Sequence, residues 1–289
     1  MGMVDFYAIA ERAQQNACTE KKCDEQVAVD NKKKVKPKED LSKVGFVAKP
    51  LVLCSIPNTK PTVSRYFRNN GTGCLELRAT APEEYGLPYG RDRKLLFWIK
   101  KQVTLLKSDT IYFRDGSQIL RDIGYDPNSG DNIEWLKQAL LRCHNTLIYF
   151  VHGDPMKGGG TMGELIISKI NGFVNDRSDA NGRSFIRVSQ HFFDMLYVKV
   201  DLEIIEKLGR DYAAMDLYVY LVDRQDRAKD TVVFRFEELR SHFAIGEKIP
   251  TKKMKQDLKK SLKKLNDIGF HSGCKIEDNL IYIPPRKRS

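Results

Sequence analysis

Two stretches of this chain repeat one order of elements, and that order limits the fold more than any other feature. In the first, RKLLFWIKKQVTLLK puts Leu95, Leu96, Ile99, Val103 and Leu106 on one face, which predicts a helix over about 91–107. TIYF (110–113) predicts a short strand, DGSQILRDIG (115–124) a short helix stopped at Gly124, and DPNSG a turn. DNIEWLKQALLRCHN opens on a capping box, Asp131 with Glu134, and carries a stripe of Ile133, Leu136 and Leu140. TLIYFV (146–151), ELIISKI (164–170) and SFIRV (184–188) predict strands, with GDPMKGGG (153–160) and DRSDANG (176–182) turning between them.

From Asp201 the order returns. DLEIIEKL is a short helix and DYAAMDLYVYLVDR (211–224) a longer one, with Leu217, Tyr220 and Leu221 inward. TVVFRF (231–236) is a strand, EELRSHF (237–243) a short helix and AIGEKIP a turn. TKKMKQDLKKSLKKLNDIG (251–269) is a helix, and FHSGCKI (270–276) with LIYI (280–283) closes a hairpin. Helix, strand, helix, turn, helix, hairpin is the order of a winged helix, in which the third helix docks in a DNA groove. No close sequence repeat underlies it, so the duplication is architectural. The expectation is an α+β fold: two tandem winged-helix domains, 45–188 and 189–289, behind a flexible basic tail over 1–44. In that tail VDFYAIAERAQQNA suits a short helix, and EKKCDEQVAVDNKKKVKPKED is too polar to order itself.

The helix over 251–269 is the most informative. Met254, Leu258, Leu262, Leu265 and Ile268 form its apolar stripe; Thr251 after Pro250 suits an N-cap, and Gly269 a C-terminal stop. Seven lysines cover the rest, and Asp257 is the sole acid between Thr251 and Lys264. The i,i+4 pairs 255/259, 259/263 and 260/264 are all Lys on Lys, at about 0.2–0.5 kcal/mol of repulsion each. A polyanion lying along the helix reverses that sign and adds counterion release. A net charge of +11 suits the same partner. A solvated basic face is the competing reading.

The DNA-contact candidates are therefore Lys252, Lys253, Lys255, Gln256, Lys259, Lys260 and Lys263. The lysines would grip phosphates, and Gln256 would read adenine. Arg240, on the preceding short helix, would hold a phosphate or a surface salt bridge. Arg286, Lys287 and Arg288 end the chain as a phosphate contact or a frayed tail. In the first domain, Trp135, Gln138 and Arg142 would project from the outer face of the third helix, as a second DNA face or a dimer face.

Enzyme chemistry is not legible. The Gly-rich segment lacks the GxxxxGK[ST] cradle of an ATPase. The five histidines (144, 152, 191, 242, 271) are isolated, without the paired metal ligands of a nicking enzyme. Six scattered cysteines form no CxxC pair, so free thiols, no metal, no cofactor and a reducing cytoplasm are expected. No run of about 18 apolar residues predicts a membrane span.

LPYGRDRKLLFWI (87–99), RVSQHFFDMLYVKVDLEIIEKL (187–208), AMDLYVYLVDR (214–224) and FEELRSHFAI (236–245) together resemble bacterial plasmid replication initiators of the RepA type, over roughly 85–285. The family's opening motif, PYGxxPRLLLxW, has proline before the arginine; here Asp92 precedes Arg93. The resemblance implies two winged helices that bind repeated double-stranded origin DNA, help melt it and recruit host replication proteins such as a helicase or initiator. It also implies a homodimer through the first domain and main DNA binding through the second. A winged-helix transcription repressor is the alternative.

Overall fold

The computed structural model describes residues 40–69, 75–152, 160–171, 184–236 and 250–286. The tail expected over 1–44 falls mostly outside this range, but Val44 already belongs to a strand.

That strand, β1 (Val44–Ala48), leads into the one-turn helix α1 (Lys49–Leu53), then β2 (Arg65–Asn69) and β3 (Leu75–Thr80). None of the four was expected. VGFVA shows no alternation because both of its faces are covered: Val47 enters one core and Ala48 another. The first long helix, α2 (Asp92–Leu106), buries Leu95, Leu96, Ile99 and Val103 and ends at Lys107 in the left-handed region. β4 (Thr110–Phe113) and α3 (Gly116–Asp122) follow, the helix capped by the Asp115 carboxylate. The helix α4 (Gly130–Asn145) is capped by the Ser129 hydroxyl, not by the expected Asp131 box, because the chain enters helical geometry two residues earlier than that box requires, at Gly130.

The next strands divide between two sheets. β5 (Leu147–His152) and β6 (Gly160–Leu165) join β2 and β3 in an antiparallel sheet ordered β2-β3-β5-β6. The chain then breaks at Ile166, so the single strand expected over 164–170 is two. β7 (Ile167–Asn171) and β8 (Ser184–Val188) form a second sheet with β4, ordered β4-β8-β7.

A short connection, α5 (Gln190–Asp194) and β9 (Tyr197–Asp201), precedes α6 (Leu202–Leu208), whose N-cap is Asp201. Then come α7 (Tyr212–Arg227), β10 (Val232–Arg235), α8 (Thr251–Asp267), β11 (Lys275–Glu277) and β12 (Leu280–Ile283). Their sheet is ordered β10-β12-β11. In both regions the strand after the long helix pairs with the last strand of the hairpin, Thr110 opposite Arg187 and Val232 opposite Ile283. The duplication expected from periodicity is therefore present in strand connectivity. The short helix expected over 237–243 lies outside the described residues.

Two cores result. One gathers Leu95, Ile99, Ile111, Ile119, Leu136, Leu140 and Ile186, and extends past 188 to Phe192 and Met195. The other gathers Ile205, Met215, Leu221, Met254, Leu258, Leu265 and Ile281. They belong to one compact unit from Leu41 onward. β1 pairs with β9 across them, and α2 gives Phe97 to the second core while its other apolar residues fill the first.

A buried ion pair reinforces the join. Arg93 on α2, 3% exposed, meets Asp216 on α7 with two bonds of 2.7 and 2.8 Å. Its guanidinium also donates to the carbonyls of Ile56, Pro57 and Gly90 and to the Asn58 side chain. Gly90 has a φ of +51°, and a Cβ there would come within 3.2 Å of both the Asn58 carbonyl and the Tyr212 ring. The glycine of the PYGRDR segment thus lets the two regions close on Arg93.

Candidate nucleic-acid interface

Helix α8 is held by one face and open on the other. Met254, Leu258, Ser261, Leu262 and Leu265 are buried, at steps of four, three, one and three. Pro250 occupies the N-cap, so Thr251 is the first helical residue and not the cap. At 100° per residue, Lys252, Gln256, Lys259, Lys260 and Lys263 lie opposite the buried stripe. All five are exposed, as is Lys253 at the flank.

Two lysines are withdrawn from this face. Lys264 reaches Asp211 at 3.0 Å and the Leu208 carbonyl. Lys255, one of the contact candidates, is half-buried; its ammonium donates to the Asp278 carbonyl and lies 5.3 Å from the Phe236 ring centroid. Asp278 sits at φ +49° in the turn between β11 and β12. Lys255 therefore ties the hairpin tip to the N-terminal half of α8. These partners relieve two of the three like-charge pairs, leaving 259/263 with both members exposed. Among the described residues, no ion pair involves Lys252, Lys253, Lys259, Lys260 or Lys263.

Arg286 is anchored apart from the lysines. Its guanidinium meets Asp226 at 3.3 Å and its backbone N–H donates to the Gln225 carbonyl, both at the end of α7. Arg240, Lys287 and Arg288 lie outside the described residues.

The face expected on α4 is not there. Arg142 is 8% exposed, and its fork meets both oxygens of Asp92, itself 1% exposed, at 2.8 and 2.9 Å. The Trp135 indole N–H donates to the same carboxylate at 2.8 Å, and the ring lies 3.9 Å under the Arg91 guanidinium. Both side chains fold inward because a buried carboxylate on α2 needs donors. Gln138 is exposed but hydrogen-bonds Glu134. The open side of α4 carries Asp131, Glu134 and Gln138, so it is acidic.

Among the described residues no group of three or more His, Cys, Asp or Glu is placed to hold a metal ion. None of the described helices is long and apolar enough to cross a membrane.

No protein-family profile and no curated protein matches the chain. In structure it is similar to domain 2 and domain 3 of RctB, with a TM-score of 0.50 and 15% sequence identity, covering 83% of this chain and 99% of that one. A second structure of RctB domains 2–3 aligns with a TM-score of 0.42 and 14% identity, covering 81% and 96%. The first of these shows a shared fold, and the α+β class expected from sequence holds.

Proposed function

We propose that this chain is a replication initiator that binds duplex origin DNA along the outer face of α8. The observation that carries the reading is that face: Lys252, Gln256, Lys259, Lys260 and Lys263 point away from a helix pinned by its buried stripe. With α7, β10 and the β11–β12 hairpin, α8 makes a winged helix whose third helix enters the major groove. The lysines neutralise phosphates and release counterions. Gln256, in the middle of the row, is the one uncharged side chain there with a donor and an acceptor for an adenine edge. Lys255 holds the hairpin beside the groove instead of gripping DNA.

Two likenesses support initiation over simple DNA binding. The fold is that of domains 2 and 3 of RctB, a replication initiator of Vibrio chromosome II that binds its origin. The sequence resembles plasmid initiators of the RepA type. In this reading the protein is not an enzyme and works in the cytoplasm. It opens origin DNA mechanically and brings in host replication proteins, and the first winged helix supports a homodimer.

Footprinting on the DNA flanking the gene tests the reading. Protection of short repeats, lost in Lys259→Glu with Lys263→Glu at unchanged melting temperature, is the expected result. A normal footprint from the double variant would remove α8 as the DNA surface. Maintenance of a plasmid bearing those repeats separates initiation from repression, because a repressor silences the promoter and leaves the plasmid to be lost.

A further inference from the structure

The β2-β3-β5-β6 sheet lies outside the duplicated pattern. Its inner face is explained: Ala79 and Ile148 are buried in the first core, and Tyr66 packs on it. Its outer face is not. The register places Phe67 opposite Arg78, and Arg78 opposite Tyr149, so the three form one row across β2, β3 and β5. Arg65 and Thr80 form the next pair along. Phe67 is 48% exposed, and Arg78 lies 5.8 Å from its ring centroid. These residues line a shallow concavity. On the far flank the register sets Gly163 of β6 opposite Tyr149.

We propose that this face binds single-stranded DNA, with one base stacked on Phe67, another on Tyr149, and the intervening phosphates drawn to Arg65 and Arg78. An exposed phenylalanine is unfavourable in water, and every base has a π-face to cover it. Strands stand about 4.8 Å apart. Phe67 and Tyr149, two strands apart, are then roughly 10 Å from each other, which gives each ring its own base. Guanidinium groups beside the rings supply the charge that a strand of phosphates needs. A second copy of this chain fits the face poorly, because a two-fold contact would bring arginine against arginine. Only the choice of DNA over RNA rests on the reading of α8: the strand nearest to hand is the one released when the bound duplex opens.

The test uses the full chain, a labelled oligo(dT) of about 20 nucleotides, oligo(rU) of the same length, and a duplex. Fluorescence anisotropy should show wild type binding oligo(dT). Phe67→Ala with Tyr149→Ala should weaken that by at least about tenfold, since stacking contributes about 1–3 kcal/mol per base, while duplex affinity and melting temperature hold. Phe67→Trp should retain binding and lose tryptophan fluorescence as oligo(dT) is added. Lys259→Glu with Lys263→Glu should keep oligo(dT) binding. No oligo(dT) binding by wild type, or equal binding by the alanine variant, overturns the proposal. So does a shift from dimer to monomer mass in the alanine variant at unchanged oligo(dT) affinity, which assigns the face to a second copy. Tighter binding of oligo(rU) overturns the choice of DNA. Intact duplex binding by the lysine variant would instead overturn the reading of α8 and leave this one standing.

Discussion

Helices α4 and α8 hold the same place in the same strand connectivity, yet they use charge in opposite ways. On α4 the large polar residues turn inward: Arg142 and Trp135 close on Asp92, and the open side is left with Asp131 and Glu134. On α8 the charged residues turn outward, and those with partners, Lys255 and Lys264, sit at the edges of the row. Under the proposed reading, position in a fold does not by itself make a DNA-reading helix. The sign and the freedom of its outer side chains do. The duplicated architecture gives one region a structural ion cluster and the other an open row of lysines.

The sharpest way to break this comparison is to remove Asp92. It accepts from Arg142 twice, from Trp135 and from the Tyr89 backbone N–H. Asp92→Asn leaves a buried guanidinium without its charge partner, at a cost of about 3–5 kcal/mol. Urea unfolding should show it as a lower midpoint. Oligonucleotide binding by the protein that stays folded should be unchanged, since α8 is not involved. A loss of DNA affinity at full stability would mean that the cluster on α4 is a binding site after all.

Next in size is salt. If the five exposed lysines of α8 each neutralise a phosphate, log affinity for duplex should fall with log salt at a slope of about −4.5, a loss of a few hundredfold between about 50 and 200 mM. Lys259→Ala with Lys263→Ala should reduce the slope by about 2. Lys264→Ala should leave it nearly unchanged, because that ammonium already faces Asp211. Equal effects from the edge and the row would erase the distinction between them.

What was legible in the sequence follows from the range of the interactions. The stripe of α8 and its lysines are local, three and four residues apart, so periodicity found them. The same reasoning found the stripe of α4 but misjudged Arg142, whose partner is 50 residues away on α2. Where resemblance to plasmid initiators expects proline, this chain has Asp92, and nothing near residue 92 announces that two donors on α4 converge on it. Lys264 and Asp211 are likewise 53 residues apart. The strands before Arg91 were missed for another reason. They are about five residues long, and β1, covered on both faces, lacks the alternation that marks a strand. TLIYFV was readable as a strand, but its membership of a separate sheet depends on β3, some seventy residues earlier.

A smaller effect probes α4 directly. Glu134→Lys reverses a charge on an exposed position and breaks only the Gln138 contact, so stability should move by no more than about 0.5 kcal/mol. Duplex affinity should rise a few-fold at low salt, equally for any sequence, and the gain should vanish at higher salt. A gain confined to the origin repeats would mean that α4 already lies on the DNA and reads it.

A last test concerns another inward charge of the first region. Lys100 on α2 is buried, and its ammonium donates to the carbonyls of Phe192 and Phe193 at 3.0 and 2.8 Å. Burial pulls its pKa down from 10.5 to about 8, and Asp194 pushes back only in part. Below pH 8 both folded and unfolded chains carry the charge, and the folded one bears the desolvation. Between pH 8 and 10.5 the folded group loses its proton while the unfolded one keeps it, so the contribution of Lys100 to stability rises with pH. Lys100→Met keeps the apolar stem and removes the titration. Urea unfolding of both proteins at about pH 7.5 and about pH 9.5 should therefore show wild type gaining on the variant at the higher pH. No gain, or a loss, by wild type at the higher pH would mean that the two carbonyls hold the ammonium as firmly as water does. The contrast between the two regions would then rest on Asp92 and Arg142 alone.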